Sequence, residues 1–229
     1  MTQVDTTGTH TGTHTGTHTE IIGTLTRAEL KFLQVATSTD KTRIVLNSAV
    51  VRYSDKCKSW IVATTDTHRM HVVCTGTNLH LGNVKLDIVK VVDINSIIRQ
   101  MTAFKSETLD IVARLSNGGE FIGLEFVAQN VPSVQNSIVD LGEFPNIERI
   151  FVESLDSMHV GLKGAFNGAY MSDACLNLIT KKETNTHRVT YWQEKPLTPA
   201  YVLDSTAWIY ETNVNIGRKF AIVMPMQII

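Results

Sequence analysis

Asp66, His68, Arg69 and His71 crowd one short stretch, which begins Val62-Ala-Thr-Thr-Asp-Thr-His-Arg-Met70. A carboxylate beside two imidazoles is the raw material of acid–base or metal chemistry. The spacing works against both uses. On an extended strand neighbouring side chains alternate, so His68 and His71 project from opposite faces and cannot share a metal without a bulge. No serine or cysteine sits in a strand–turn–helix elbow, no glycine-rich loop precedes a helix, and H-E-x-x-H does not occur. The expectation is a protein that is not an enzyme and uses no cofactor or metal. The plainest reading of Asp66 to Arg69 is a polar turn whose side chains cap backbone groups. Other histidines lie in Thr7-Gly-Thr-His10, Thr11-Gly-Thr-His14 and Thr15-Gly-Thr-His18. If extended, this repeat puts threonine on one face and glycine and histidine on the other, a polar edge strand or a metal-dependent site. With no aliphatic anchor between Asp5 and Glu20, it also reads as a flexible tail.

The elements around these residues alternate between one helix and a group of strands. Thr26-Arg-Ala-Glu29 is a capping box, and Leu30, Phe32, Leu33 and Ala36 form an apolar helical stripe after it. Strands are expected at 42–53, 59–64 and 69–74, rich in valine and isoleucine. A second unit opens with a strand at 84–92, a cap at Asp93 and a helix over 94–104. Strands follow at 109–115, 121–128 and 133–141, with Asn117-Gly-Gly119 as a hairpin turn. A third has a strand near 158–162, a helix from Asn167 to about Thr180, and strands at 187–193, 201–203, 207–212 and 219–226. The resulting class is α+β, with helices segregated to one face of antiparallel sheets. The expected divisions are a tail at 1–20, two units over 21–150 and a single unit over 151–229.

Composition narrows function by exclusion. Among 229 residues, 43% are hydrophobic and 19% charged, so the chain should fold. A formal net charge of −1 excludes nucleic-acid binding by overall basicity and leaves only local Lys and Arg clusters for that task. Cys57, Cys74 and Cys175 form no C-x-x-C pair, which fits a reducing, cytoplasmic setting and no disulfide framework. There is no leader-like start and no apolar run of membrane-spanning length, so a soluble intracellular protein is expected.

Three separated stretches, taken in order, add a resemblance. Val62 to Met70, Phe144-Pro-Asn-Ile-Glu-Arg-Ile150 and Ala221-Ile-Val-Met-Pro-Met-Gln-Ile228 resemble the V-A-T-D-G-H-R-L, F-P-D-Y-R-R-V and V-M-P-M-R-L segments of bacterial sliding clamps, the beta subunit of the replicative polymerase. The resemblance implies the DNA-clamp fold, with helices lining a central hole. It also implies an apolar groove for short linear peptides carried by the DNA polymerase and the clamp loader. Its lining would be Leu46, Thr65, Thr67, His68, Arg69 and Met70, then Pro145, Arg149 and Ile150, then Ile222, Val223, Met224 and Met226. Thr67 stands where the family has glycine, Met70 where it has leucine and Gln227 where it has arginine. Double-stranded DNA would be met, without reading of sequence, by Arg27, Lys31, Arg99, Lys105, Lys181 and Lys182 on the helices. Clamp rings hold twelve such units, so three per chain imply a head-to-tail homotetramer. Such a shortened clamp would suit a phage. The alternative function is an adaptor or decoy that binds clamp-interaction peptides without encircling DNA.

Overall fold

The first helix forms where the capping box lies. Thr26 accepts a hydrogen bond from the backbone N–H of Glu29 at 3.2 Å, and Glu29 Oε2 accepts one from the Thr26 N–H at 2.7 Å, so both ends of the box close. In the computed structural model the described residues are 17–40, 42–54, 57, 59–76, 90–118, 121–128, 144–147, 159–161, 164–178, 189–195, 197–204, 208–210, 213–215 and 219–226. Strand β1 (Thr17–Thr26) runs straight into α1 (Arg27–Gln34). A single 3₁₀ turn, Ile44–Asn47, then precedes β2 (Ala49–Ser54), β3 (Ser59–Thr65) and β4 (Arg69–Gly76).

The second unit contains β5 (Lys90–Val92), α2 (Ile94–Ala103), β6 (Thr108–Ser116) and β7 (Phe121–Ala128). Asp93 caps α2 by accepting from the Ser96 N–H at 3.0 Å. The third has β8 (His159–Val160), α3 (Gly168–Leu178), β9 (Val189–Gln193), β10 (Ala200–Asp204), β11 (Trp208–Tyr210), β12 (Asn213–Asn215) and β13 (Lys219–Val223). Asn167 Oδ1 accepts from the Ala169 N–H at 2.9 Å and begins α3.

Among the described residues every strand pairing is antiparallel, and the α+β class is borne out. One sheet is ordered β1-β6-β7. The other is an eight-stranded sheet ordered β5-β2-β3-β4-β13-β10-β9-β8, and β11 and β12 pair apart. The three helices among the described residues share one core with the inner faces of both large sheets, through residues such as Leu30, Phe32, Ile97, Met101, Ala174 and Leu178. The opposite face of the eight-stranded sheet buries Ile61, Met70, Phe220 and Ile222 beneath Ile147.

Two departures from the expected elements have local causes. The strand expected from Thr42 begins only at Ala49, because Asp40 Oδ1 takes up the Thr42 N–H at 2.9 Å and the chain turns through 44–47 first. Thr17 to Glu20, the end of the polar repeat, is drawn into β1 by pairing with Ala113 to Ser116 of β6. The strand expected at 133–141 lies outside the described residues, as does all but Lys90–Val92 of that expected at 84–92. Among the described residues no helix is long and apolar enough to cross a membrane.

The sheets approach closely where β1 crosses β4. A Cβ on Gly23 would collide with the side chain of Thr75, whose hydroxyl is fixed by donating to the Trp60 carbonyl at 3.1 Å. Gly23→Ala is therefore expected to destabilise the fold by about 1–3 kcal/mol, the usual cost of overpacking. Urea denaturation of the variant measures it.

Candidate functional site

Thr65 to Met70 forms the tight connection between β3 and β4. Asp66 Oδ1 accepts the backbone N–H groups of His68 and Arg69 at 2.9 and 3.0 Å, and the Thr65 hydroxyl donates to the Arg69 carbonyl at 2.7 Å. The polar-turn reading of Asp66 is thus borne out. Thr67 is held at φ 80°, a left-handed conformation that costs a β-branched residue on the order of 1 kcal/mol. This is the position where glycine was expected from the resemblance.

The turn docks on two other parts of the chain. β4 pairs with β13, setting Met70 opposite Ile222 and Arg69 opposite Val223, and the Met224 N–H donates to the His68 carbonyl at 2.8 Å. Arg69 reaches to α3. Its Nε donates to Asp66 Oδ2 at 3.0 Å, its Nη1 bonds Asp173, and its guanidinium lies 4.7 Å from the Tyr170 ring centroid. The His68 ring stacks on Tyr170 at 5.8 Å. These contacts enclose a cleft of about 330 Å³ lined by His68, Asn167, Tyr170, Met224, Pro225 and Met226.

His68, Met224 and Met226 are therefore brought together. Thr65, Met70, Ile222 and Val223 are buried and stand behind the cleft as packing; Thr67 is exposed on the turn. Leu46 is also buried, and Pro145 is exposed, and neither is among the cleft's lining residues. The second motif enters through Ile147, which packs with Met70 and Ile222. Arg149 and Ile150 lie outside the described residues. Asn167, Tyr170 and Pro225 line the cleft without having been anticipated. The Asn167 cap placed α3, but nothing local in the chain revealed that the start of α3 faces the Asp66 turn.

His71 does none of the chemistry its neighbours suggested. It is fully buried, stacks on Phe32 with 4.2 Å between centroids, and its Nδ1–H donates to the Phe32 carbonyl at 2.6 Å. The Thr64 hydroxyl likewise donates to the Leu33 carbonyl at 2.5 Å. The first satisfies a carbonyl in the last turn of α1, and the second adds to the Ala36 N–H, which donates to the same Leu33 carbonyl at 3.1 Å. Among the described residues no group of three or more His, Cys, Asp or Glu could hold a metal.

Of the helix cations, Lys31, Arg99 and Lys105 are exposed, while Arg27 is partly buried and pairs with Glu107 at 2.6 Å. Lys181 and Lys182 lie outside the described residues.

The same arrangement of sheets and helices recurs in solved structures. The DnaN sliding clamp (DNA polymerase III subunit beta) of Bartonella birtlesii, solved bound to griselimycin, matches with a TM-score of 0.55 and 14% identity over 91% of this chain and 67% of its own. The beta sliding clamp of Caulobacter crescentus gives 0.54 and 15%, over 92% and 66%. The sliding clamp of Bacillus subtilis gives 0.54 and 11%, over 93% and 65%. The fold is that of a DNA sliding clamp. The chain spans about two thirds of the length of these clamps. No protein-family model and no curated protein sequence matches it.

Proposed function

We propose that the chain is a DNA polymerase processivity factor, a non-enzymatic sliding clamp. Copies of it close into a ring around duplex DNA, and the cleft beside His68 takes a short linear peptide from a polymerase or a clamp loader. One observation carries this reading: in a clamp fold, the Asp66 turn and the terminal Met224-Pro-Met226 stretch meet at an open cleft. Two flexible thioethers and two aromatic rings make an adaptable floor, and Asn167 supplies a polar group to orient a peptide. The twelve-unit count favours a tetramer, in which Lys31, Arg99 and Lys105, with Lys181 and Lys182, face phosphates without reading bases. Arg27 contributes less, its charge being shared with Glu107. The units of that ring are the pair over 21–150 and the single unit over 151–229. Soluble, cytoplasmic and phage-encoded settings all suit the reading.

Replacing Met224 and Met226 together with alanine is expected to weaken peptide binding by about 1–3 kcal/mol and leave assembly intact. Calorimetry with a polymerase-derived clamp-binding peptide measures it, and unchanged affinity would displace the groove from this cleft. Retention on circular DNA, with release on linearisation, tests encirclement. Peptide binding without such retention gives the adaptor or decoy reading instead.

A further inference from the structure

Two of the six residues that line the cleft are methionines, and the fold grades the methionines of this chain by their access to water. Met70 on β4 and Met101 on α2 are fully buried, one in each of the two core clusters. Met171 on α3 packs against the cluster that holds Met101 and is half-buried. Met224 is half-buried in the cleft, and Met226 beside it is 50% exposed. Met1 and Met158 lie outside the described residues. Among the described methionines, the most accessible one therefore stands in the cleft.

That exposure belongs to a fixed segment. The Met224 N–H donates to the His68 carbonyl and the Met226 N–H to the Ala165 carbonyl, each at 2.8 Å, while Pro225 between them bridges to Phe166. The surroundings suit a thioether and not a more polar group: the other lining residues include Pro225 and the stacked rings of His68 and Tyr170. Asn167 is the exception. Its Oδ1 accepts from the Ala169 N–H at 2.9 Å and the Tyr170 N–H at 3.4 Å, which leaves its Nδ2 to donate.

We propose that Met226, followed by Met224, is a reversible oxidation site whose sulfoxide weakens peptide binding at the cleft. The inference rests on the reading of this cleft as a peptide groove. Hydrogen peroxide is the oxidant: the sulfur lone pair attacks one peroxide oxygen, the S–O bond forms as the O–O bond breaks, and the proton on the transferred oxygen passes to the departing hydroxide, which leaves as water. Sulfur loses two electrons and the peroxide gains them. A methionine sulfoxide reductase reverses the change by removing the oxygen as water while two thiols become a disulfide. The product is a flexible side chain that has become polar, at the place where an apolar peptide side chain would settle. Its oxygen is a strong acceptor for Asn167 Nδ2, so the oxidised cleft both resists an apolar side chain and draws off the donor that would orient the peptide. Burying such a dipole under a ligand is expected to weaken binding by about tenfold.

The test treats the full chain with dilute hydrogen peroxide, quenched at intervals. Each sample is mapped by mass spectrometry and titrated calorimetrically with the polymerase-derived clamp-binding peptide. Met226 is expected to take up oxygen first and Met224 next, with Met70 and Met101 unmodified while the chain stays folded. Affinity should decline about tenfold in step with Met226 and return after treatment with the reductase. A chain carrying Met224→Leu and Met226→Leu, a volume-conserving exchange, is compared with its own untreated sample and should show no peroxide-dependent decline. Oxidation of Met171 ahead of Met226, or affinity that survives full oxidation of Met226, would overturn the proposal. So would a peroxide-dependent decline in the doubly substituted chain, which would assign the effect to Cys57, Cys74 or Cys175. An untreated chain that binds no such peptide would defeat the groove itself and the regulation with it, whereas the other adverse outcomes strike only the oxidation site.

Discussion

Arg69→Met is expected to cost about 2–4 kcal/mol of stability and to weaken peptide binding at a cleft that Arg69 does not itself line. The arginine side chain is only 12% exposed and joins Asp66, 15% exposed, to Asp173 on α3. Removing one partner of a largely buried pair leaves a desolvated charge, which typically costs 3–5 kcal/mol. The lower range applies here because Asp66 keeps the backbone N–H groups of His68 and Arg69, and Asp173 is 44% exposed and can turn to water. The functional loss follows from the stacking. The guanidinium lies over the ring of Tyr170, whose position forms the cleft wall with His68, so α3 would lose its anchor to the first unit. Arg69→Lys restores charge but not the fork that serves both carboxylates and the flat stack on the ring, and should recover only part of the effect. Urea denaturation and calorimetry with the clamp-binding peptide read the two losses separately. A methionine variant retaining both wild-type stability and affinity would remove Arg69 from the site.

Arg69 also marks what could be read along the chain. Elements governed by neighbours in sequence were legible: Thr26 with Glu29, Asp93 and Asn167 begin helices because a side-chain oxygen reaches an N–H two or three residues ahead. Strand β7 has the expected bounds, set by alternating burial and a glycine turn. What depended on distant partners was not legible. Asp173 was a helix residue among others until the β4–β13 pairing brought Arg69 beside it. Thr17 to Glu20 lacks apolar residues to mark a strand, yet β6 supplies the pairing. His71 looked like chemistry because His68 and Arg69 flank it; the helix end it serves is set by the packing of α1 on β4, which leaves no local signal. His68, Met224 and Met226 were found through three spaced motifs, while Tyr170 and Asn167 lie outside those motifs and were missed.

His71 makes the stability of this fold dependent on pH between about 6.5 and 4, a window whose upper part lies above the ordinary titration of carboxylates. Burial lowers its pKa from 6.5 to about 4, against the hydrogen bond to the Phe32 carbonyl, which favours the protonated ring. Nearby Arg69 lowers it further, whereas Asp66 and Asp173 oppose that effect; Lys219 lies above the adjoining Phe32 ring, at 5.8 Å. With Nδ1–H donated to Phe32, protonation must occur at Nε2, a buried atom with no hydrogen-bond partner among the described residues. The folded pKa is thus below the unfolded one. Above pH about 6.5 the ring is neutral in both states and stability has its full value. As pH falls towards 4 the unfolded chain binds a proton that the folded chain refuses, so stability declines by up to about 1.4 kcal/mol per pH unit and about 3 kcal/mol in all. Below the folded pKa the decline from this group ends. His71→Gln can still donate to the Phe32 carbonyl but does not titrate. Urea denaturation at pH 7.5, 6 and 5 is expected to show the wild type losing stability on acidification faster than this variant. Equal pH slopes in the two proteins would mean that His71 is protonated as readily in the fold as in the open chain.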